Sequence, residues 1–525
     1  MFKREEPSPE ILIPVCDGNE DELNFSSREK ENFRSFRALK KSANGNTQTQ
    51  SSKSKPLIRR VPTILRENDN FKKYFEPRVV AIGPLHHQNN RLRLTAKAKL
   101  KFAVLFCKEH EVSEQVLYKK IKDEIGYLKK CYKPKDIEVY EDDELAWMFF
   151  VDGCAVLHVI HRITTEKCID HVKVDLLAFA QVDLFMLENQ IPFRVLNLLI
   201  SSISKGNDVR NSMYAFIDKK IKSTLAAGKS DSDLRQVVSE QNQEPTHLLG
   251  ILRDRLLTKS KNKPTTNGKK EVIRNLLMSL GSKPQHSKTF RSVKEMKEAG
   301  IQVSPSETSS FRDVDFYVGL LGTLKIPRIV VDDSTGSKFM NLVAYEMCPD
   351  FGNDFGVTSY LCFLDSLIDT AEDVKELRHA GMLLNYMGSD EEVAHLFNSL
   401  TTDLVPDFST YKDVTNDMRK YCNNPWATSI AKAYYTHFST PWSILAFLGV
   451  LLGLIFTAIQ TYYSTMTIFV LFPGVFFILI LIYSCNIHMN KHYLHLVCPD
   501  EFFLLKLNDC PFCSLMINPK CYFHF

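Results

Sequence analysis

From Ala433 through Asn490 the chain contains no Asp, Glu, Lys or Arg. No other feature limits the fold so sharply. In a hydrocarbon environment the backbone must satisfy its own N–H and C=O groups, so a single apolar run there has to be a helix. Residues 441–463, "PWSILAFLGVLLGLIFTAIQTYY", supply the roughly 20 apolar-rich positions that cross a bilayer core. Trp442 and Tyr462-Tyr463 lie at the two ends, where amphipathic rings suit the membrane interface. Residues 466–485, "MTIFVLFPGVFFILILIYSC", are long enough for a second transmembrane helix. Pro473-Gly474 would kink it, which membrane helices tolerate. The alternative, a buried hairpin in a soluble core, is disfavoured because core helices rarely stay charge-free for so long.

The remaining chain reads as ordinary globular protein. Lys and Arg total 66 against 62 Asp and Glu, a net charge of +4, with no extended basic stretch. That balance argues against nucleic acid as a partner. Eight cysteines precede the first span, mostly inside apolar periodic runs, as expected for free thiols in a reducing compartment. The N-terminus "MFKREEPSPE" lacks the apolar core of a secretory signal. Arg419, Lys420 and Lys432 precede the span, which by the positive-inside rule places the main domain in the cytosol. Glycosylation of the sequon Asn24-Phe25-Ser26 would report the opposite orientation.

Residues 1–55 are polar and low in apolar surface, so disorder is expected. Residues 56–224 form a first helical part. "VVAI" (79–82) ending at Gly83-Pro84 reads as a short strand. Leu117, Ile121, Ile125, Leu128 and Tyr132 share one face of a helical region spanning 94–131. "DDELAWMFFVDGCAVLHVIHRI" reads as a buried helix. "VDLLAFAQVDLFMLENQIPFRVLNLLISSI" reads as two, with Pro192 near the start of the second. Residues 225–290 turn polar and suit an insertion or linker holding one helix, "THLLGILRDRLL". A second helical part covers 291–435. It opens with a capping-box spacing, Ser292 to Glu295, and a terminating Gly300. "IVV" before Asp332-Asp333 reads as a strand, and Ser389 to Glu392 repeats the capping spacing. The expected fold is mainly α with a few short β-strands, followed by a C-terminal transmembrane helix or two. A cysteine-containing tail, 486–525, closes the chain.

Three groups of residues could carry chemistry. His86, His87, Asp332 and Asp333 each follow a predicted strand, and together they could hold a divalent ion for a metal-dependent hydrolase. Adjacent residues on extended chain point opposite ways, however, and Asp after a strand commonly bonds its own backbone. Cys154, His158 and His161 fall on one helical face with zinc-type donors, but amid apolar neighbours that favour packing. Cys498, Cys510, Cys513 and Cys521 include one "CPFC", a moderate zinc hint near a membrane where acylation is another outlet. The sequence has no GxGxxG after a strand, no GxxxxGK[ST], no GxSxG and no HExxH. No catalytic, cofactor or metal residue is therefore assigned.

The motifs "RRVPTILREN", "YFEPRVVAIGPLHH", "FVDGC", "LENQIPFRVL", "SVKEMKEAGI", "IPRIVVDDST", "NLVAYE", "TSYLCFLDSLIDTAEDVKELRHAGML", "NYMGSDEEVAHLFNSL" and "PWSILAFLGVLLGL" occur in this order. In combination they resemble the plant domain-of-unknown-function family 247, over roughly residues 56–463. The resemblance implies a helical domain with a C-terminal membrane helix and no established enzymatic activity. Some grass members are associated with pollen-side self-incompatibility, a role that fold alone does not transfer. Members generally stop soon after the first span, whereas residues 464–525 continue here. The sequence thus suggests a membrane-anchored, non-enzymatic protein that works by recognising other proteins, with residues 225–290 as the candidate display surface.

Overall fold

A computed structural model describes residues 57–225, 244–258, 292–431 and 441–465, apart from isolated positions, together with a few positions between 27 and 37. The chain divides into two compact units, residues 1–429 and 430–525.

The first unit is mostly helical. Its longer N-terminal helices are α1 (Arg93–Glu109), α2 (Glu114–Asp123), α3 (Asp142–Thr164), α4 (Val174–Asp183), α5 (Phe193–Ile200), α6 (Gly206–Leu225) and α7 (Leu248–Leu257). Helix α3 is the axis, with α1, α2, α5 and α6 packed around it. Its sequence explains both its start and its burial. Glu141 and Glu144 form a reciprocal capping box, and Asp142, Asp143 and Glu144 complement the helix dipole in the first turn. The apolar run that follows buries Leu145, Phe149, Cys154 and Leu157 completely. Pro192 precedes the first residue of α5, as its fixed φ suits.

Two expectations are corrected. The helical region expected over 94–131 is broken. Helix α1 ends at Glu109, the backbone turns left-handed at Glu111 (φ 50°), and α2 starts again at Glu114. Leu117, Ile121, Leu128 and Tyr132 nonetheless share the buried side. The second correction is that "VVAI" forms no strand. Its backbone N–H groups bond to side chains instead: Val79 and Val80 donate to the Asp183 carboxylate (2.7 and 2.9 Å), and Ile82 donates to Asn189 Oδ1 (2.7 Å). A β-branched run is extended in both cases, but only the tertiary neighbours decide whether another strand or a carboxylate satisfies it.

Helix α7 carries the apolar pattern of the "THLLGILRDRLL" segment into the core. Leu249 and Leu256 are fully buried, Arg253 Nε donates to Glu346 Oε1 at 2.8 Å, and Arg255 pairs with Asp218. This part of residues 225–290 is core, not surface.

The C-terminal part adds strands. A three-stranded sheet contains β1 (Ile301–Pro305), β2 (Asp315–Val318) and β3 (Gly322–Ile326) in the order β1-β3-β2. Strands β1 and β3 are parallel, with Ile301 opposite Gly322, and β2 and β3 are antiparallel. Next come β4 (Ile329–Val331), α8 (Thr335–Glu346), α9 (Gly356–Asp365), α10 (Ala371–His379), β5 (Leu383–Asn385), α11 (Asp390–Leu400) and α12 (Lys412–Cys422). Strands β4 and β5 pair in parallel, with α8 to α10 making the crossover that parallel strands require. The expected caps are present. Ser292 and Ser389 accept from the N–H groups of Glu295 and Glu392, and Gly300 is left-handed at φ +88°.

In the second unit, α13 (Pro441–Thr465) is one continuous helix. It is long and apolar enough to cross a membrane, and none of it is buried. Most of residues 1–55, the stretch 466–485, and Cys498, Cys510, Cys513 and Cys521 lie outside the described residues.

Candidate functional site

The histidines and aspartates that could have formed a metal site go to separate structural tasks. Gly83 has φ +74° and sits against the Gln190 carbonyl, where a Cβ would collide, so the turn before Pro84 requires glycine. Pro84–His86 then form one 3₁₀ turn. His86 Nε2 lies 3.7 Å from Glu188 Oε2. Burial first, then Arg60, pushes the His86 pKa down to about 4, with Glu76 opposing. His87 sets its ring edge-on to Tyr140 at 6.1 Å. Burial also lowers its pKa, with Lys99 adding to the effect. Asp332 accepts from Ser334 N (2.9 Å), Ser334 Oγ (2.7 Å) and Thr335 Oγ1 (3.1 Å), which fixes the turn into α8. Asp333 is exposed.

The zinc-type face of α3 disperses in the same way. Cys154 is fully buried, and Cys107 is its hydrogen-bonding neighbour. His158 stacks on Phe102 at 5.9 Å, with Nδ1 3.4 Å from Glu109 Oε2. His161 Nδ1 meets Ser212 Oγ at 2.9 Å. Among the described residues no group of three or more His, Cys, Asp or Glu could hold a metal ion. The geometry gives the hydrolase alternative no support.

A set of buried polar staples centres instead on Glu188, Asn189 and Gln190. Glu188 accepts from Val61 N at 2.7 Å and pairs with Arg66. Asn189 Nδ2 donates to the carbonyls of Val80 (3.0 Å) and Asp183 (2.9 Å). Gln190 Nε2 donates to Leu184 O (2.7 Å) and Met186 O (2.9 Å). Asn341 on α8 reaches back, accepting from Leu187 N at 2.8 Å and donating to Tyr74 O at 2.8 Å. Nearby, Asp152 on α3 accepts from Gly83 N (2.8 Å) and pairs with Lys99 (2.5 Å), whose Nζ also donates to Ala81 O (2.6 Å). Each staple lets irregular backbone lie in the core without orphaned groups, which otherwise cost about 1–3 kcal/mol apiece. In the sequence, "LENQIPF" shows no task of its own. Its signal is three adjacent polar residues, Glu188 to Gln190, between two apolar helices, where burial demands partners.

Two cavities border this network. One, of about 290 Å³, is almost wholly apolar and is walled by Val80, Phe102, Val156, Val159, Leu177 and Leu184. Lys99 touches it, but its ammonium is committed to Asp152 and Ala81, so the walls offer no acid, base or nucleophile in position. The other, of about 210 Å³, lies between α6 and the start of α8.

Together these features define a stapled helical domain followed by an apolar C-terminal helix. The chain belongs to the plant family of unknown function DUF247, whose pattern matches residues 58–456. The Arabidopsis thaliana UPF0481 protein At3g47200 is 27% identical over 412 residues, covering 74% of this chain and 82% of that protein. A second A. thaliana UPF0481 protein, At3g02645, is 22% identical over 475 residues, covering 74% and 86%. No solved structure matches the chain.

Proposed function

We propose that this protein is a membrane-anchored recognition protein without catalytic chemistry of its own, its helical domain held in the cytosol by α13. The observation that carries the reading is α13: a helix of membrane-spanning length whose apolar side chains, including Leu451, Phe456 and Ile459, are exposed among the described residues. A bilayer supplies the missing environment. Arg419 and Lys420 precede the span and favour a cytosolic domain. The structural employment of His86, Asp332, His158 and Glu188 supports recognition over catalysis. The family resemblance associates such recognition with self-incompatibility in grass pollen. The polar residues 258–270 are then a candidate contact surface.

The test is alkaline carbonate extraction of membranes carrying the full chain. The wild type stays in the pellet. The double variant Leu451→Arg, Leu454→Arg moves to the supernatant, since each arginine at a span centre costs about 2.5–3.5 kcal/mol of insertion. A wild type that carbonate releases refutes anchoring. Deleting residues 258–270 removes specific partners from a native-tissue pull-down if that segment makes the contact. An unchanged partner set places recognition elsewhere.

A further inference from the structure

We propose that the 210 Å³ cavity at the start of α8 is a binding site for a small molecule that presents a phosphate group. The local architecture is strand, turn, helix: β4 ends at Val331, Asp332–Ser334 turn, and α8 begins at Thr335. The first turn of a helix presents unpaired N–H groups and a partial positive charge, a setting that suits oxyanions.

Two lysines make the cavity more than a helix start. Lys338, one turn into α8, and Lys220, near the end of α6, both line it. Both side chains are half-buried, and burial depresses both pKa values. For Lys220 the fall reaches about 8, with Lys338 and then Lys219 adding repulsion and Asp332 opposing it. Among the described residues neither ammonium has a carboxylate within ion-pair distance, and Lys220 lies over the Phe216 ring at 5.4 Å. Elsewhere in this unit buried cations are paired: Lys99 with Asp152, Arg253 with Glu346 and Arg255 with Asp218. The single carboxylate on the cavity wall, Asp332, is occupied by Ser334 and Thr335. Two cations against one engaged anion leave a net positive lining, which an oxyanion would neutralise through charge-assisted hydrogen bonds. Ser223 and Ser334 add hydroxyl groups to the wall, while Phe185, Met186 and Leu252 form an apolar side. That mixture fits a phosphate monoester with a small apolar body.

The experiment is isothermal titration of the full chain in detergent micelles with phenyl phosphate, inorganic phosphate and, as a neutral control, phenol. Phenyl phosphate should bind saturably at one site. Lys220→Gln and Lys338→Gln should each weaken binding at least tenfold. Asp332→Asn keeps the turn acceptor but removes the opposing charge. It should tighten binding several-fold, a gain that loss of fold could not produce. Tighter binding of phenyl phosphate than of inorganic phosphate identifies an ester as the ligand, and equal binding identifies free phosphate. The proposal is overturned if neither phosphate binds, if phenol binds as tightly as phenyl phosphate, or if the lysine and Asp332 variants leave affinity unchanged.

Discussion

Helices α3 and α13 pass the same test of length and apolar composition for crossing a membrane, yet most of α3 is buried and none of α13 is. The difference lies in their few polar residues. Helix α3 carries Asp152, His158 and His161, and each has a partner waiting: Lys99 and Gly83, Glu109 and Phe102, Ser212. Helix α13 contains no Asp, Glu, His, Lys or Arg at all. A core helix can hold a charge where the fold supplies a counter-charge, while a helix lacking such neighbours has to do without. Apolar length therefore states what a helix can do. Its polar exceptions state what it does.

Cutting equal side chains from the two helices should have very different effects. Phe149→Ala, at a fully buried position of α3, should cost about 3–5 kcal/mol in denaturant unfolding of the full chain. Phe456→Ala on α13, where the ring is exposed, should leave that transition in place. Equal losses would mean that α13 is also packed in the domain and would break the contrast.

A second test uses pH. Burial holds His158 near pKa 4 against an ordinary value of 6.5, with Glu109 opposing. The unfolded chain therefore takes up a proton that the folded chain resists. The stability is whole above about pH 6.5 and is lost as pH falls toward 4. His86, equally depressed, adds to the same slope. Between pH 6.5 and 5 each histidine should cost roughly 2 kcal/mol. In His158→Asn about half of that loss should disappear. An unaltered slope in this variant would show that the His158 ring is not shielded as described.

Glycines give the finest comparison. A Cβ at Gly153 in α3 would lie 2.6 Å from Leu199 Cδ1 on α5, so Gly153→Ala should overpack the contact and cost about 1–3 kcal/mol. A Cβ at Gly449 in α13 meets nothing within 4 Å. Gly449→Ala should be the smallest effect of all, leaving the unfolding midpoint and carbonate resistance where they were. A large loss at Gly449 would reveal a neighbour pressed against α13.

Local chemistry was legible from the chain alone. The capping serines 292 and 389, the left-handed Gly300, the start of α3 and the extent of α13 rest on residues close in sequence, so patterns of spacing suffice. The strands β1 to β3 were missed because each is at most five residues long and is defined by partners across the sheet. The GPLHH motif and Asp332-Asp333 were visible as unusual residues, but their tasks were not. Whether His86 meets a metal or Glu188 depends on a residue about a hundred positions away.

Family, mainly helical class and the long segment that no charge interrupts can all be read along the chain, because composition and short-range spacing carry that information. The folded chain alone shows that "VVAI" is satisfied by Asp183 and Asn189, that Glu188, Asn189 and Gln190 staple the core, and that Lys220 and Lys338 line one cavity. Range separates the two. A hydrogen-bonding group buried in a core has to be satisfied by whatever the fold brings beside it, and chain order does not encode that neighbour in any local pattern.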